Sequence, residues 1–111
     1  LAVAEKLKEE ELKLVAILHD VLEDSSITAE ELLKKGFPRE VVEAVKVLTH
    51  KKGDPDTYEQ YIERVSKSRM ARQVKISDLQ HNLDLTRIPH PVQRDYDRCE
   101  KYQKALAYLR R

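Results

Sequence analysis

Apolar residues along the chain recur at spacings of three and four and show no strand-like alternation, so the pattern predicts helices throughout. Val3, Ala4 and Leu7 fit the tail of one helix, over Leu1 to Leu7. Glu9 to Asp24 predicts a second, with Leu14, Val15, Ile17, Leu18, Val21 and Leu22 on one aliphatic face. Ser25-Ser26-Ile27 reads as a turn. Thr28-Ala29-Glu30-Glu31 has the form of a capping box, so a short helix starts after Thr28, and Gly36 stops it. Pro38 opens the next helix, whose Val41, Val42, Ala44, Val45 and Leu48 face inward. His50 to Asp56 is a polar loop. A helix follows Thr57 with Tyr58, Tyr61, Ile62 and Val65, and another runs from Ser68 to Thr86. Ile88-Pro89-His90-Pro91 breaks the chain. The last helix, from Val92, carries Tyr96, Cys99, Tyr102, Ala105, Leu106 and Leu109. The tyrosines fall mostly on apolar faces, where packing is their expected role. The expectation is an all-α fold in one domain, residues 1–111, without repeats or linkers.

Charge changes the picture more than composition does. The net charge is only +1, yet residues 1–33 carry −6, residues 34–63 are neutral and residues 64–111 carry +7. An acidic front joined to a basic back suits a site that holds a cation on one side and phosphates on the other; it equally lets the two halves attract each other. The single Cys99 excludes a disulfide within the chain and a paired-cysteine zinc site, and fits a reducing cytoplasm. No apolar run approaches the length of a membrane span, and no signal peptide is evident. The basic residues of the back half are interleaved with acids and lack an aromatic platform or a recognition-helix pattern, which argues against nucleic acid as a partner. The chain opens inside a helix and without Met, so residues are expected upstream of Leu1.

The candidate chemistry begins at His19-Asp20-Val21-Leu22-Glu23-Asp24. With His19 at zero on a helical wheel, Glu23 falls near 40°, Asp20 near 100° and Asp24 near 140°, opposite the aliphatic face. Three carboxylates and an imidazole within six residues repel one another unless something positive sits among them. They also stand at a helix C-terminus, where the backbone dipole disfavours acids. A divalent metal with a phosphorylated substrate would balance them; a solvated acidic helix end is the plainer reading. Mixed imidazole and carboxylate donors suit manganese, iron or zinc better than calcium.

A second polar face lies on the helix from Arg69 to Leu85. Lys75, Asp78 and Asn82 share it at spacings of three and four, beside a packing stripe of Ile76, Leu79 and Leu83. Asp78 interrupts an otherwise apolar segment and needs a partner, either Lys75 or the metal that His19 and Asp20 would bind. His81 points away from Lys75 and reads as packing or surface. His50 and His90 lie in loops, where a lone histidine is usually solvated.

His19-Asp20 with Glu23-Asp24, the Thr28 to Gly36 segment, Ala44-Val45 to Leu48-Thr49, and Val74-Lys75-Ile76-Ser77-Asp78 with His81-Asn82 together resemble the hydrolase domain of RelA/SpoT-type proteins, within the HD-type metal-dependent phosphohydrolases. The likeness spans nearly the whole chain and is nearest to the small stand-alone forms. It implies a compact HD-type helical bundle that cleaves the 3′-pyrophosphate from ppGpp or pppGpp. It also implies that His19, Asp20 and Asp78 bind the metal, expected to be manganese (Mn2+). Glu23 and Asp24 would handle the water and its proton, and Lys75 and Asn82 would line the nucleotide side. A further ligand histidine, in a His-Pro-Leu-x-Val-Ala context, would fall just before Leu1, because Leu1-Ala2-Val3-Ala4 matches the end of that context. Ser25 stands where the family often has Thr. Two other readings remain open at this stage: an HD-type enzyme acting on another nucleotide or phosphoester, and a non-catalytic helical module that binds a nucleotide or a protein.

Overall fold

The computed structural model describes residues 2–50, 53–83 and 89–111, with side chains from Glu9 onward. Its six helices are α1 (Ala2–Asp24), α2 (Ala29–Lys34), α3 (Arg39–Leu48), α4 (Tyr58–Ser66), α5 (Arg69–Asn82) and α6 (Gln93–Leu109). The fold is all-α, with no strand among the described residues. None of the described helices is long and apolar enough to cross a membrane.

Short polar side chains start three of these helices. Thr28 accepts the Glu31 N–H at the head of α2, and Ser68 accepts the Ala71 N–H at the head of α5. At α4 the Thr57 hydroxyl accepts the Gln60 N–H while the Gln60 side chain accepts the Thr57 N–H, a reciprocal box. Val92 has no polar side chain to cap α6, so the Asp95 carboxylate instead accepts the Val92 N–H at 2.9 Å. Gly36 closes α2 with φ +97°, a conformation that disfavours any Cβ. There the Phe37 N–H donates to the Leu32 carbonyl and the Gly36 N–H to the Leu33 carbonyl, a Schellman close.

α1 packs against α3 and α5, α5 also packs on α3, α4 and α6, and α2 lies on α3. The centre of the core is fully buried: Val15 from α1, Val41, Val45 and Leu48 from α3, Val65 from α4 and Leu79 from α5. Residues 41, 45 and 48 are spaced by four and three, so α3 offers one continuous ridge to both α1 and α5.

Four expectations change. The two segments expected at Leu1–Leu7 and Glu9–Asp24 are one continuous helix over the described Ala2–Asp24, because Glu5 to Lys13 is a run of good helix formers with neither glycine nor proline. The packing expected of Val3, Ala4 and Leu7 lies outside the described side chains. Ile17 is not in the aliphatic face but 61% exposed. Buried Leu18, Leu22 and Val15 centre the inward arc near 290° on the wheel that places His19 at zero, about 130° from Ile17. Tyr96 is likewise more than half exposed, not packed. Finally, α5 ends at Asn82, short of Thr86: the Leu83 N–H closes the last turn on the Leu79 carbonyl. The expected turn through Leu85 and Thr86 lies outside the described residues.

Leu48 and Ile17 should separate cleanly in a urea titration. Leu48→Ala removes a fully buried side chain and should cost about 2–5 kcal/mol. Ile17→Ala should stay within about 0.5 kcal/mol of the parent. Similar losses for both would contradict the packing described.

Candidate functional site

Burying Leu18 and Leu22 fixes what α1 can show. His19 lies about 70° from the centre of the inward arc, so it sits at the edge of the core, with its side chain 14% exposed. Asp20, one residue on, is nearly opposite that arc and 70% exposed. Glu23 is half-buried and Asp24 exposed. Single ligand atoms of His19, Asp20 and Glu23 lie within 4.8 Å of one another, a spacing that fits one cation. His19 Nε2 is 3.4 Å from Asp20 Oδ1, while His19 Nδ1 is buried and has no hydrogen-bond partner among the described residues. A buried imidazole nitrogen left this way is costly unless a water or an ion satisfies it. The α1 terminus itself supplies no relief, because its last turn holds no basic residue.

The end of α3 supplies some. Thr49 leaves the helix with ψ 122°, so the His50 N–H is carried out of the helical hydrogen-bond pattern. It donates instead to Glu23 Oε2 at 2.9 Å. The His50 ring stacks on Tyr61, with centroids 4.6 Å apart and planes 15° from parallel. The Tyr61 hydroxyl donates to the Leu48 carbonyl at 2.6 Å. His50, expected to be solvated, is therefore half-buried and built into the site, whereas His90 is exposed.

On α5, Asp78 occupies a border. Its Oδ2 is 3.3 Å from Lys75 Nζ, and its Oδ1 accepts from Asn82 Nδ2 at 3.2 Å. Lys75 Nζ also lies 5.3 Å from the centre of the Tyr61 ring, within cation–π range. On the other flank of Asp78 opens a cavity of about 490 Å³ between α1 and α5. His19, Asp20 and Asp78 all line it. So do Ile17, Ser77 and His81. Lys75 and Asn82 are not among its lining residues.

The site thus has two lobes. Glu23, His50, Tyr61 and Lys75 form the polar one, and the cavity forms the other. His19, Asp20 and Asp78 lie between them. Asp24, one position past Glu23, is exposed. His81, expected to pack or to lie at the surface, is exposed and also borders the cavity. A signal for this was present, since Gln73, Ser77 and His81 recur at intervals of four beside Asp78 and all three line the cavity. Tyr61 and the His50 backbone carried no comparable signal, because their place depends on where α3 stops.

Burial pushes the Tyr61 phenol well above its ordinary range, and the negative charges of Glu23 and Asp78 add to this, opposed by Arg64. Tyr58 shifts the same way, from burial first and then from Tyr102 and Asp78. Both phenols therefore stay neutral beside the acids.

The sequence matches no family model and no curated protein.

Because the folded pKa of each phenol is raised, the folded state keeps a proton that the unfolded chain loses near pH 10. Their contribution to stability is complete below pH 10 and is lost as pH rises from there through the folded value. Tyr61→Phe should leave the phenolate absorbance of the folded protein at pH 10 unchanged. A drop would show that Tyr61 ionises there.

Proposed function

We propose that the chain is a metal-dependent phosphohydrolase of the HD type, and that its substrate is ppGpp or pppGpp, cleaved at the 3′-diphosphate. The observation that carries this reading is that His19 and Asp20 of α1 and Asp78 of α5 open on one cavity, although 58 positions separate Asp20 from Asp78. The substrate class comes from the RelA/SpoT-type pattern of motifs. What supports a metal is that buried His19 Nδ1 has no partner among the described residues and that the neighbouring His19, Asp20 and Glu23 mix nitrogen and oxygen donors in the way manganese accepts. His19 and Asp20 would hold the Mn2+ with Asp78 from the facing wall of the cavity, although the carboxylate that already lies within 4.8 Å of His19 and Asp20 is that of Glu23. When bound, a divalent ion lowers the pKa of water and polarises a phosphoryl oxygen.

The chain's own residues do the rest. Glu23 accepts the proton of the attacking water through its other oxygen, since the His50 N–H engages Oε2. The water oxygen bonds to the phosphorus next to the ribose, and the bond from that phosphorus to O3′ breaks. Pyrophosphate leaves, GDP or GTP remains, and O3′ takes up a proton. Asp24, next along α1, orients the water or supplies that proton. Lys75 and Asn82 meet the nucleotide side, and Lys75 draws the substrate's negative charge toward the polar lobe.

One observation favours a second reading, a non-catalytic nucleotide-binding module: both Asp78 oxygens are already engaged by Lys75 and Asn82. A Mn2+ titration by calorimetry, followed by incubation of the loaded protein with ppGpp and a panel of nucleotides, separates the two. Release of pyrophosphate from ppGpp is the expected result. Tight nucleotide binding with no product from any compound would establish the module instead.

Asp78→Ala should abolish Mn2+ binding and turnover together. Glu23→Ala should keep the metal while turnover falls by roughly 10²–10⁴. Loss of metal in the Glu23 variant would make Glu23 a ligand and not the proton acceptor.

A further inference from the structure

Tyr61 ties the two halves of the polar lobe together. Three observations meet on this one side chain, which is 2% exposed. Its hydroxyl donates to the Leu48 carbonyl, the last residue of α3. Its ring face lies parallel to the His50 imidazole, two residues further on. Lys75 Nζ of α5 approaches the same ring at 5.3 Å. Together these contacts grip the chain on both sides of Thr49, where α3 ends. The N–H delivered by that turn, at His50, is the group that holds the Glu23 carboxylate.

We propose that Tyr61 is a positioning residue: it fixes the Leu48–His50 turn so that the His50 N–H orients the Glu23 carboxylate, and its ring steers Lys75 toward Asp78. The role rests on the reading of Glu23 as proton acceptor, but the geometry it asserts is testable without any substrate. A carboxylate free to rotate about its side-chain torsions spends only part of its time aimed at an attacking water. One held by a backbone N–H is limited to the orientations that keep that bond. Displacement of a reacting group by about 1 Å can cost as much as 10²-fold in rate, so loosening the turn acts on turnover even though Tyr61 touches no substrate. The parts separate by chemistry. The phenol oxygen serves the turn alone, and the ring serves both His50 and Lys75.

Hydrogen exchange of individual amides, read by NMR, tests the first link. Tyr61→Phe keeps the ring and deletes the hydroxyl, and His50→Ala keeps the amide and deletes the stack. In each, the His50 amide should exchange about tenfold faster or more, the loss expected from a single released hydrogen bond. The Val45 amide, inside α3, should be unchanged and so report that the helix is intact. Kinetics with the manganese-loaded protein test the second link. Tyr61→Phe should lower kcat at least several-fold with KM and Mn2+ affinity held, whereas Tyr61→Leu should also raise KM, because Lys75 loses its ring. Should Tyr61→Leu not fold, the two milder variants still decide. Unchanged His50 exchange in both of them overturns the proposal, as does unaltered kcat in Tyr61→Phe once exchange has quickened. If the parent protein hydrolyses nothing, the enzyme reading fails, while the exchange data still decide whether Tyr61 holds the turn.

Discussion

The burial of Val15, Leu18 and Leu22 is the constraint from which the site follows. These side chains must face α3 and α5, and a helix allows no independent choice for the residues between them. His19 is thereby set on the margin of the core, with its side chain largely covered. Asp20 is sent outward and Glu23 inward to the end of α3. The same three residues that stabilise the bundle therefore decide which polar groups meet. A shift of α1 by one residue would rotate its side chains by about 100° and dismantle the group without changing its composition.

The electrostatics of the site are only partly settled within the protein. Glu23 has a backbone donor, and Asp78 has Lys75 and Asn82. Among the described residues Asp20 meets the edge of His19, and His19 Nδ1 has no hydrogen-bond partner. Polar groups are thus satisfied on the α3 and α5 sides and left wanting on the α1 side. The group also differs in one respect from a solvated acidic helix end. An imidazole in such an end would be exposed to water, whereas the His19 side chain is largely covered.

Much of the fold was legible because short-range rules were enough. Thr28 and Thr57 announce helix starts through the hydrogen bonds that they do make, and Gly36 ends α2 because its positive φ suits only glycine readily. The inward faces of α3 and α4 follow from apolar spacing alone. Where expectation departed from structure, the deciding information was not local. A periodicity template admits Ile17 to the aliphatic face, but the arc that neighbours cover is narrower and centred elsewhere. Tyr96 has an apolar body and helical spacing, yet among the described residues it stays outside the core cluster and is more than half exposed.

The same division runs through the site. The sequence by itself determined the donor types, their order on α1, and that Lys75, Asp78 and Asn82 would share a flank of α5, because helical geometry sets which neighbours meet. Only the tertiary structure decided that His19, Asp20 and Asp78 line one cavity, that the cavity opens on the His81 flank of Asp78 and not the Lys75 flank, and that the end of α3 hands a backbone N–H to Glu23. Those relations depend on the crossing of α1, α3 and α5 about a shared core. Crossing is set by how buried side chains of distant segments interlock, which no stretch of chain specifies alone.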